Sequence, residues 1–181
     1  MHAAIREFDG RALYAALDAK RQDEGLSWPG AAAAIWDMAR ALNATRDARG
    51  LANHPISPST LQRLGKAGDT SCQHALFILR WLGRTPESFL AGATLDAGAP
   101  LPACGPGRRP RWDLKALHAG LNLARTSRGV TWAQTAQDLG CRPGQLTSLK
   151  TARFATGMGL AMRITQWVGR PAADFIYLAR W

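Results

Sequence analysis

The chain has 181 residues, of which 46% are apolar and 20% charged, so it can hold one ordinary domain or two small ones, each with a core. No run of eighteen apolar residues occurs and the N-terminus lacks the layout of a secretory signal, so neither membrane insertion nor export is indicated and we expect a cytoplasmic protein. Cys72, Cys104 and Cys141 are scattered without C-x-x-C spacing, so we expect reduced thiols, no disulfide framework and no structural zinc site.

The net charge is the most informative bulk property. A formal charge of +10 and a pI near 10.7 favour polyanionic partners, because a basic protein attracts them through its long-range field whatever its fold. Residues 1–92 carry 11 Lys and Arg against 9 Asp and Glu, whereas residues 93–181 carry 12 against 4. Most of the positive field therefore belongs to the C-terminal half.

The first half of the chain reads as a series of helices. A long second helix is predicted from Ser27 toward Asn43. A third follows in ISPSTLQRLGKAG, where Ser57 caps the helix and Pro58 takes its first position. A fifth helix is predicted to begin at Pro86. Nothing in this half has the alternating pattern of strands.

The stretch AGATLDAGAPLPACGPGRRP separates the two halves. It is rich in Gly, Pro and Ala and has no apolar periodicity, which is typical of a flexible linker. We therefore expect an N-terminal domain over residues 1–92, a linker over 93–110 and a C-terminal domain over 111–181.

The second half is predicted to be helical as well. Asp113 is placed to cap a first helix, and Gly129 suits its exit. Thr131 can cap a short second helix, and Pro143 can open a third. A fourth helix is predicted over MGLAMRITQWV, and a fifth begins at Pro171.

The two halves are copies of one another. From Phe8 and from Trp112 onward they align without a gap at an offset of 104, and RWLGRTPESFL aligns with QWVGRPAADFI at an offset of 86. The offset shrinks because the first copy has about 18 more residues in its middle. Identical pairs include Leu17 with Leu121, Arg21 with Arg125, Gly25 with Gly129, Trp28 with Trp132 and Trp81 with Trp167.

A short helix, a glycine-marked turn, the helix Ser-x-Ser-Thr-Leu-x-Arg-Leu and two supporting helices together resemble the XRE (Cro-like phage-repressor) helix-turn-helix family, in both copies. The resemblance implies an all-α fold of two tandem five-helix, lambda-repressor-like helix-turn-helix domains joined by a Gly/Pro-rich linker. The third helix of each would enter the DNA major groove. Copy one departs from the family through its enlarged connection between helices two and three. Both copies carry Trp, at Trp28 and Trp132, where the family commonly has Gln.

The outward face of each third helix supplies the candidate DNA-binding residues. With Leu turned inward, the remaining side chains are the polar and basic groups that can reach base edges or phosphates. We expect Gln62 and Gln145 to pair with adenine, Arg63 to pair with guanine, and the other basic residues to hold phosphates; a solvated surface is the alternative. The two sets are Ser57, Ser59, Thr60, Gln62, Arg63 and Lys66 in copy one, and Arg142, Gln145, Thr147, Ser148, Lys150 and Arg153 in copy two.

The stretch GPGRRPR, residues 105–111, resembles the basic core of minor-groove arms. Its candidate residues are Arg108, Arg109 and Arg111. An ordinary short basic linker is the alternative.

Catalysis is not indicated. The four histidines, His2, His54, His74 and His118, do not cluster, and the chain has no Gly-rich phosphate loop or nucleophile motif. We expect no catalytic residue, no metal and no cofactor.

Together these features predict a nucleoid-associated transcriptional regulator that binds double-stranded DNA sequence-specifically. Ala- and Arg-rich usage favours a bacterial or phage origin. Its two domains would act as a covalent dimer on an asymmetric or loosely palindromic site, because their third helices differ. The alternative is an adaptor in which one copy binds DNA and the other docks RNA polymerase, a toxin or a second copy of the protein. The apolar run FIYLARW could serve such docking.

Overall fold

The computed structural model describes residues 4–152 and 156–181, and the fold of this part of the chain is mainly helical. Three short 3-10 turns and one antiparallel pair of strands complete it. In these residues no helix is both long and apolar enough to cross a bilayer. The helices are α1 (Gly10–Asp23), α2 (Trp28–Asp37), α3 (Arg40–Ala48), α4 (Pro58–Ala67), α5 (Cys72–Leu82), α6 (Leu114–Ser127), α7 (Trp132–Asp138), α8 (Pro143–Thr147) and α9 (Met158–Val168); the 3-10 turns are Pro86–Phe89, Ser148–Thr151 and Ala172–Phe175, and the strands are β1 (Arg109–Trp112) and β2 (Ile176–Ala179).

The helix starts predicted from capping residues are confirmed. The side chain of Ser57 accepts a hydrogen bond from the third residue of its helix at 3.2 Å, and Asp113 and Thr131 do the same at 2.8 and 3.2 Å. Gly129 follows α6 with φ of 65°, a conformation that favours glycine. These starts could be predicted because a cap is satisfied by neighbours in the sequence.

The predicted long second helix of the first half is wrong, because the chain forms α2 and α3 instead. A continuous helix would join the Leu42 N–H to the Met38 carbonyl. Here that carbonyl accepts from the guanidinium of Arg80 at 2.7 Å, and the Leu42 N–H donates to Pro106 O at 3.1 Å. The carbonyl and the N–H that a continuous helix would have joined therefore both bond to residues far away in the chain.

Neither predicted fifth helix forms, and the all-α expectation is corrected by a small sheet. The residues after Pro86 and after Pro171 make single 3-10 turns. In the second half the chain then continues into β2, which pairs with β1 in the register Trp112 to Ile176. Strand pairing wins there because a partner far away in the sequence satisfies the backbone groups.

The duplication is visible in the hydrogen bonds as well as in the sequence. We call residues 4–92 repeat one and residues 109–181 repeat two. A single antiparallel bridge between Phe8 and Leu90 stands where repeat two pairs β1 with β2. The N–H groups of Asp9 and Asp113 each donate to the carbonyl of the equivalent phenylalanine, at 2.8 and 2.7 Å.

The repeats meet where α5 and α9 begin. The Cys72 N–H donates to Thr156 O at 2.7 Å, and the Met158 N–H donates to Thr70 O at 2.8 Å. Thr70 is equivalent to Thr156, and Cys72 is equivalent to Met158, in the alignment of the two copies. Exchanging the two repeats therefore converts each bond into the other. This is the pattern of a self-complementary contact about an approximate two-fold axis.

The two repeats share one core, and the segment between them packs against repeat one. Buried apolar residues of both repeats form one continuous cluster. The intervening segment packs against repeat one, where the Arg80 guanidinium donates to the carbonyls of Cys104 at 2.9 Å and Gly105 at 3.0 Å. Strand β1 begins at Arg109, inside the predicted linker.

Candidate nucleic-acid interface

We keep the name third helices for α4 and α8, which stand where the sequence predicted the third helix of each copy, although α3 makes α4 the fourth helix of repeat one. Helix α4 presents one apolar and one polar face. Leu61 and Leu64 are fully buried, while Gln62, Arg63 and Lys66 between and beyond them are exposed. Within the described residues these three side chains make no hydrogen bond or ion pair. Their amide, guanidinium and ammonium groups are therefore available to a partner with base edges and phosphates.

The three hydroxyl residues predicted to bind DNA in repeat one lie at the start of α4. The Ser57 hydroxyl is 2.9 Å from the hydroxyls of both Ser59 and Thr60, and it caps the helix. Only Ser59 among them is exposed. Without a ligand, these hydroxyls stabilise the start of α4. Ser59 is the best placed of the three to reach a ligand, because it is exposed.

The third helix of repeat two is shorter. Helix α8 has five residues and continues as the 3-10 turn Ser148–Thr151, with Leu146 and Leu149 buried beneath it. Outward residues Arg142, Gln145, Thr147 and Lys150 are exposed and Ser148 is half-buried, whereas Arg153 lies outside the described residues.

Two polar side chains at α8 are hydrogen-bonded to the backbone of this segment. The Gln145 side-chain oxygen accepts the Arg142 N–H at 2.9 Å. The Ser148 hydroxyl donates to Gln145 O at 3.1 Å. A glutamine that reads adenine needs its oxygen and its NH₂ together. Gln145 must give up its capping bond to do so, whereas Gln62 has no such bond to give up.

A histidine lies near a basic residue of each third helix. Burial, and then the charge of Arg63, lower the pKa of His74 from its ordinary value. Burial and the charge of Lys150 lower the pKa of His118 in the same way. Both imidazoles therefore favour the neutral form, and the positive charge on these surfaces comes from Arg and Lys.

Two further basic residues border the third helices and were missed in the sequence. The Arg11 side chain lies against Gly68, which ends α4, and Lys115 lines a groove with Thr151 and Ala152. Arg11 and Lys115 are equivalent in the alignment of the two copies, and both are exposed. That repeated positive charge was the signal that could have identified them.

The predicted minor-groove arm is not present as a free segment. Arg109 is only 3% exposed, stacks on Trp36 at 4.0 Å and donates to the side chains of Asn43 and Asn53. Arg111 is half-buried in β1; Arg108 is exposed. Burial, followed by neighbouring arginines, lowers the pKa of Arg109 to about 10.

The repeated tryptophans at the start of α2 and α7 are packing residues. Trp28 stacks on Tyr14 with ring centroids 5.7 Å apart, and Trp132 stacks on His118 at 5.4 Å. An arginine lies over the same ring in each repeat, Arg21 at 4.6 Å and Arg125 at 4.9 Å. In each repeat the half-buried aromatic ring thus packs the start of a helix against the helix before it.

Within residues 4–152 and 156–181, no three His, Cys, Asp or Glu side chains gather where they could hold a metal ion. Burial raises the pKa of the Cys72 thiol to about 12, so it is a poor nucleophile. Comparison of the chain with protein-family models, with curated protein sequences and with solved structures finds no match.

Proposed function

We propose that the protein is a sequence-specific regulator of transcription that binds double-stranded DNA through the third helices of its two repeats. The single observation that carries the proposal is the polar face of α4. Exposed Gln62, Arg63 and Lys66 lie there beside buried leucines, on a helix that follows α3 and the connection over residues 49–57. Those side chains match the donors and acceptors of a base pair and its phosphates.

The net charge and its placement support the same proposal. The chain carries +10, and exposed basic residues border both third helices, Lys66 and Arg11 in repeat one, Lys150 and Lys115 in repeat two. Cation–phosphate contacts supply most of the affinity of a DNA-binding protein and depend on salt. The two-fold contact between the repeats supports one chain reading two half-sites.

The first experiment is selection from a random double-stranded DNA library with the intact protein, followed by footprinting on the enriched sequence. Q62A/R63A and Q145A/K150A are compared with the wild type. We expect each pair to lose a different half of one motif, by roughly 1–3 kcal/mol per lost base contact. Arg49→Ala is the control, because it removes an exposed charge at the end of α3 without touching either third helix. Wild-type protein that enriches no sequence would contradict the proposal.

An adaptor is the second candidate, and α8 favours it. That helix is short, and Gln145 and Ser148 are hydrogen-bonded within it. In this case repeat one alone reads DNA, and repeat two docks RNA polymerase, a toxin or a second copy. The same footprints distinguish the two functions. If Q145A/K150A protects the whole wild-type site with unchanged affinity, repeat two is the docking module.

A further inference from the structure

Helix α9 has no capping side chain of its own. Its N-cap is Gly157, whereas the equivalent residue of α5, Ser71, accepts the His74 N–H at 3.2 Å. The missing cap is supplied by the other repeat, because an Asp69 carboxylate oxygen accepts the Gly159 N–H at 3.1 Å. A helix start in repeat two thus depends on a residue of repeat one.

The glycine at the start of α9 is required by that contact. A Cβ atom at Gly157 would lie 2.6 Å from the second carboxylate oxygen of Asp69, well inside van der Waals contact. A Cβ atom at Gly159 would lie 3.6 Å away, an ordinary contact. Asp69 and Gly157 are therefore complementary: one supplies the cap and the other leaves room for it.

Other bonds hold the repeats together at a distance from Asp69. The side-chain amide of Gln166 accepts the Arg6 N–H and donates to the Arg6 carbonyl, both at 2.9 Å. The Glu87 carboxylate accepts the Ala172 N–H at 2.7 Å. Contacts at separate points resist rotation of one repeat against the other.

The junction of the repeats, where Asp69 meets the start of α9, follows a proposed DNA-reading element in each repeat. Asp69 follows Gly68, the residue that ends α4. On the other side, α9 is the next helix after the third helix of repeat two. A shift at this junction would therefore move one third helix relative to the other.

We propose that the contacts between the repeats, among them that of Asp69 with the start of α9, set the separation of the two DNA half-sites, and that the segment between the repeats does not. The inference rests on the proposed function. Asp69 is a positioning residue: it acts through the placement of the third helices and does not touch DNA. One chain would then accept one half-site separation.

The first test varies the distance between the half-sites of the selected sequence, one base pair at a time. We expect a single optimum, with loss of about 100-fold or more when the half-sites are moved by about half a helical turn, since the second contact is then lost. Lengthening the intervening segment by about ten Gly and Ser residues after Leu95, which is 75% exposed, should leave that optimum unchanged. An optimum that broadens or moves in this variant would overturn the inference.

The second test uses the two glycines of α9 as a matched pair. Gly157→Ala should reduce discrimination between right and wrong spacing by about fivefold, as expected for loss of one helix cap, while Gly159→Ala leaves it near the wild-type value. D69A/G157S gives α9 its own serine cap, as in α5, and removes the bond between the repeats. It should remain folded and still lose spacing discrimination; a wild-type spacing profile in this variant contradicts the role of Asp69.

The two proposals fail differently. If the wild type enriches no DNA sequence, the proposed function fails and spacing has no meaning. If it enriches a two-part sequence but binds every spacing equally, DNA recognition stands and the positioning role of the junction is overturned.

Discussion

Repeat one and repeat two share a scaffold and differ in the surface that the scaffold presents. Arg21 donates to Leu26 O at 2.7 Å, and Arg125 donates to Val130 O at 2.8 Å. Each arginine also lies over the equivalent stacked tryptophan of its repeat. The third helices do not match: α4 has ten residues and α8 only five. The frame has thus been kept in both copies while the exposed residues have diverged.

The comparison also shows that repeat two is not complete alone. Repeat one carries the extra helix α3, whose Asn43 holds Arg109 at the start of β1. It also supplies Asp69 to cap α9. The asymmetry therefore includes contacts by which repeat one completes the structure of repeat two. Substitutions made in one repeat at a time test this dependence.

The largest effect is expected in the core. Leu17 and Leu121 are equivalent and fully buried. Replacing either with Ala should lower the free energy of unfolding by about 3 kcal/mol, from lost burial and the cavity left behind. Because the core is continuous, each variant should still unfold in one transition, measured in urea by circular dichroism and by tryptophan fluorescence. Separate transitions by the two probes would contradict a single cooperative core.

A smaller effect is expected at the start of the third helices. Ser57 caps α4 with its hydroxyl, and Gln145 caps α8 with its amide. Ser57→Ala and Gln145→Ala should each cost about 1 kcal/mol of stability in the absence of DNA. Urea unfolding measures this directly. If Gln145→Ala is neutral while Ser57→Ala is not, the bond at Gln145 is not a cap and its amide is available for DNA without cost.

Helix starts and the repeat could be predicted because their causes are local. Ser57, Asp113 and Thr131 bond residues three positions onward, so the sequence contains both partners. The apolar and polar faces of α4 follow from the same local patterns, with Leu61 and Leu64 facing inward. The exposure of Gln62, Arg63 and Lys66 could therefore be predicted without a structure.

The errors all involve partners far apart in the chain. Nothing near Met38 predicts that Arg80 will take its carbonyl and end α2. Arg109 resembles an exposed arm residue until its distant partners Asn43 and Trp36 are known. The cap that Asp69 supplies to α9 is equally distant, so the coupling of the repeats could not be predicted from spacing.

A small gain is expected from transferring a charge between the repeats. Arg21 pairs with Asp18 at 2.7 Å, and Arg125 has Asn122 in the equivalent place at 2.9 Å. Asn122→Asp should raise the free energy of unfolding by up to about 0.5 kcal/mol, because a partly exposed ion pair adds little. The gain should shrink when urea titrations are repeated at high salt. A gain that salt does not change would point to packing.

The smallest effect concerns pH and the stacked pair His118 and Trp132. Burial and Lys150 lower the pKa of His118 below its ordinary value of 6.5, so the unfolded chain takes up this proton first as the pH falls. This contribution to stability is therefore full above pH 6.5 and declines as the pH falls from there toward the folded-state pKa.

His118→Tyr installs the residue that repeat one has at Tyr14, which stacks on Trp28 in the same way. It should reduce the fall in unfolding free energy between about pH 6.5 and 5, measured by urea titration, without removing it, because His74 has a lowered pKa for the same reasons. His74→Phe should reduce what remains. A pH profile identical to that of the wild type in His118→Tyr would mean that this imidazole is as well solvated in the folded chain as in the unfolded one.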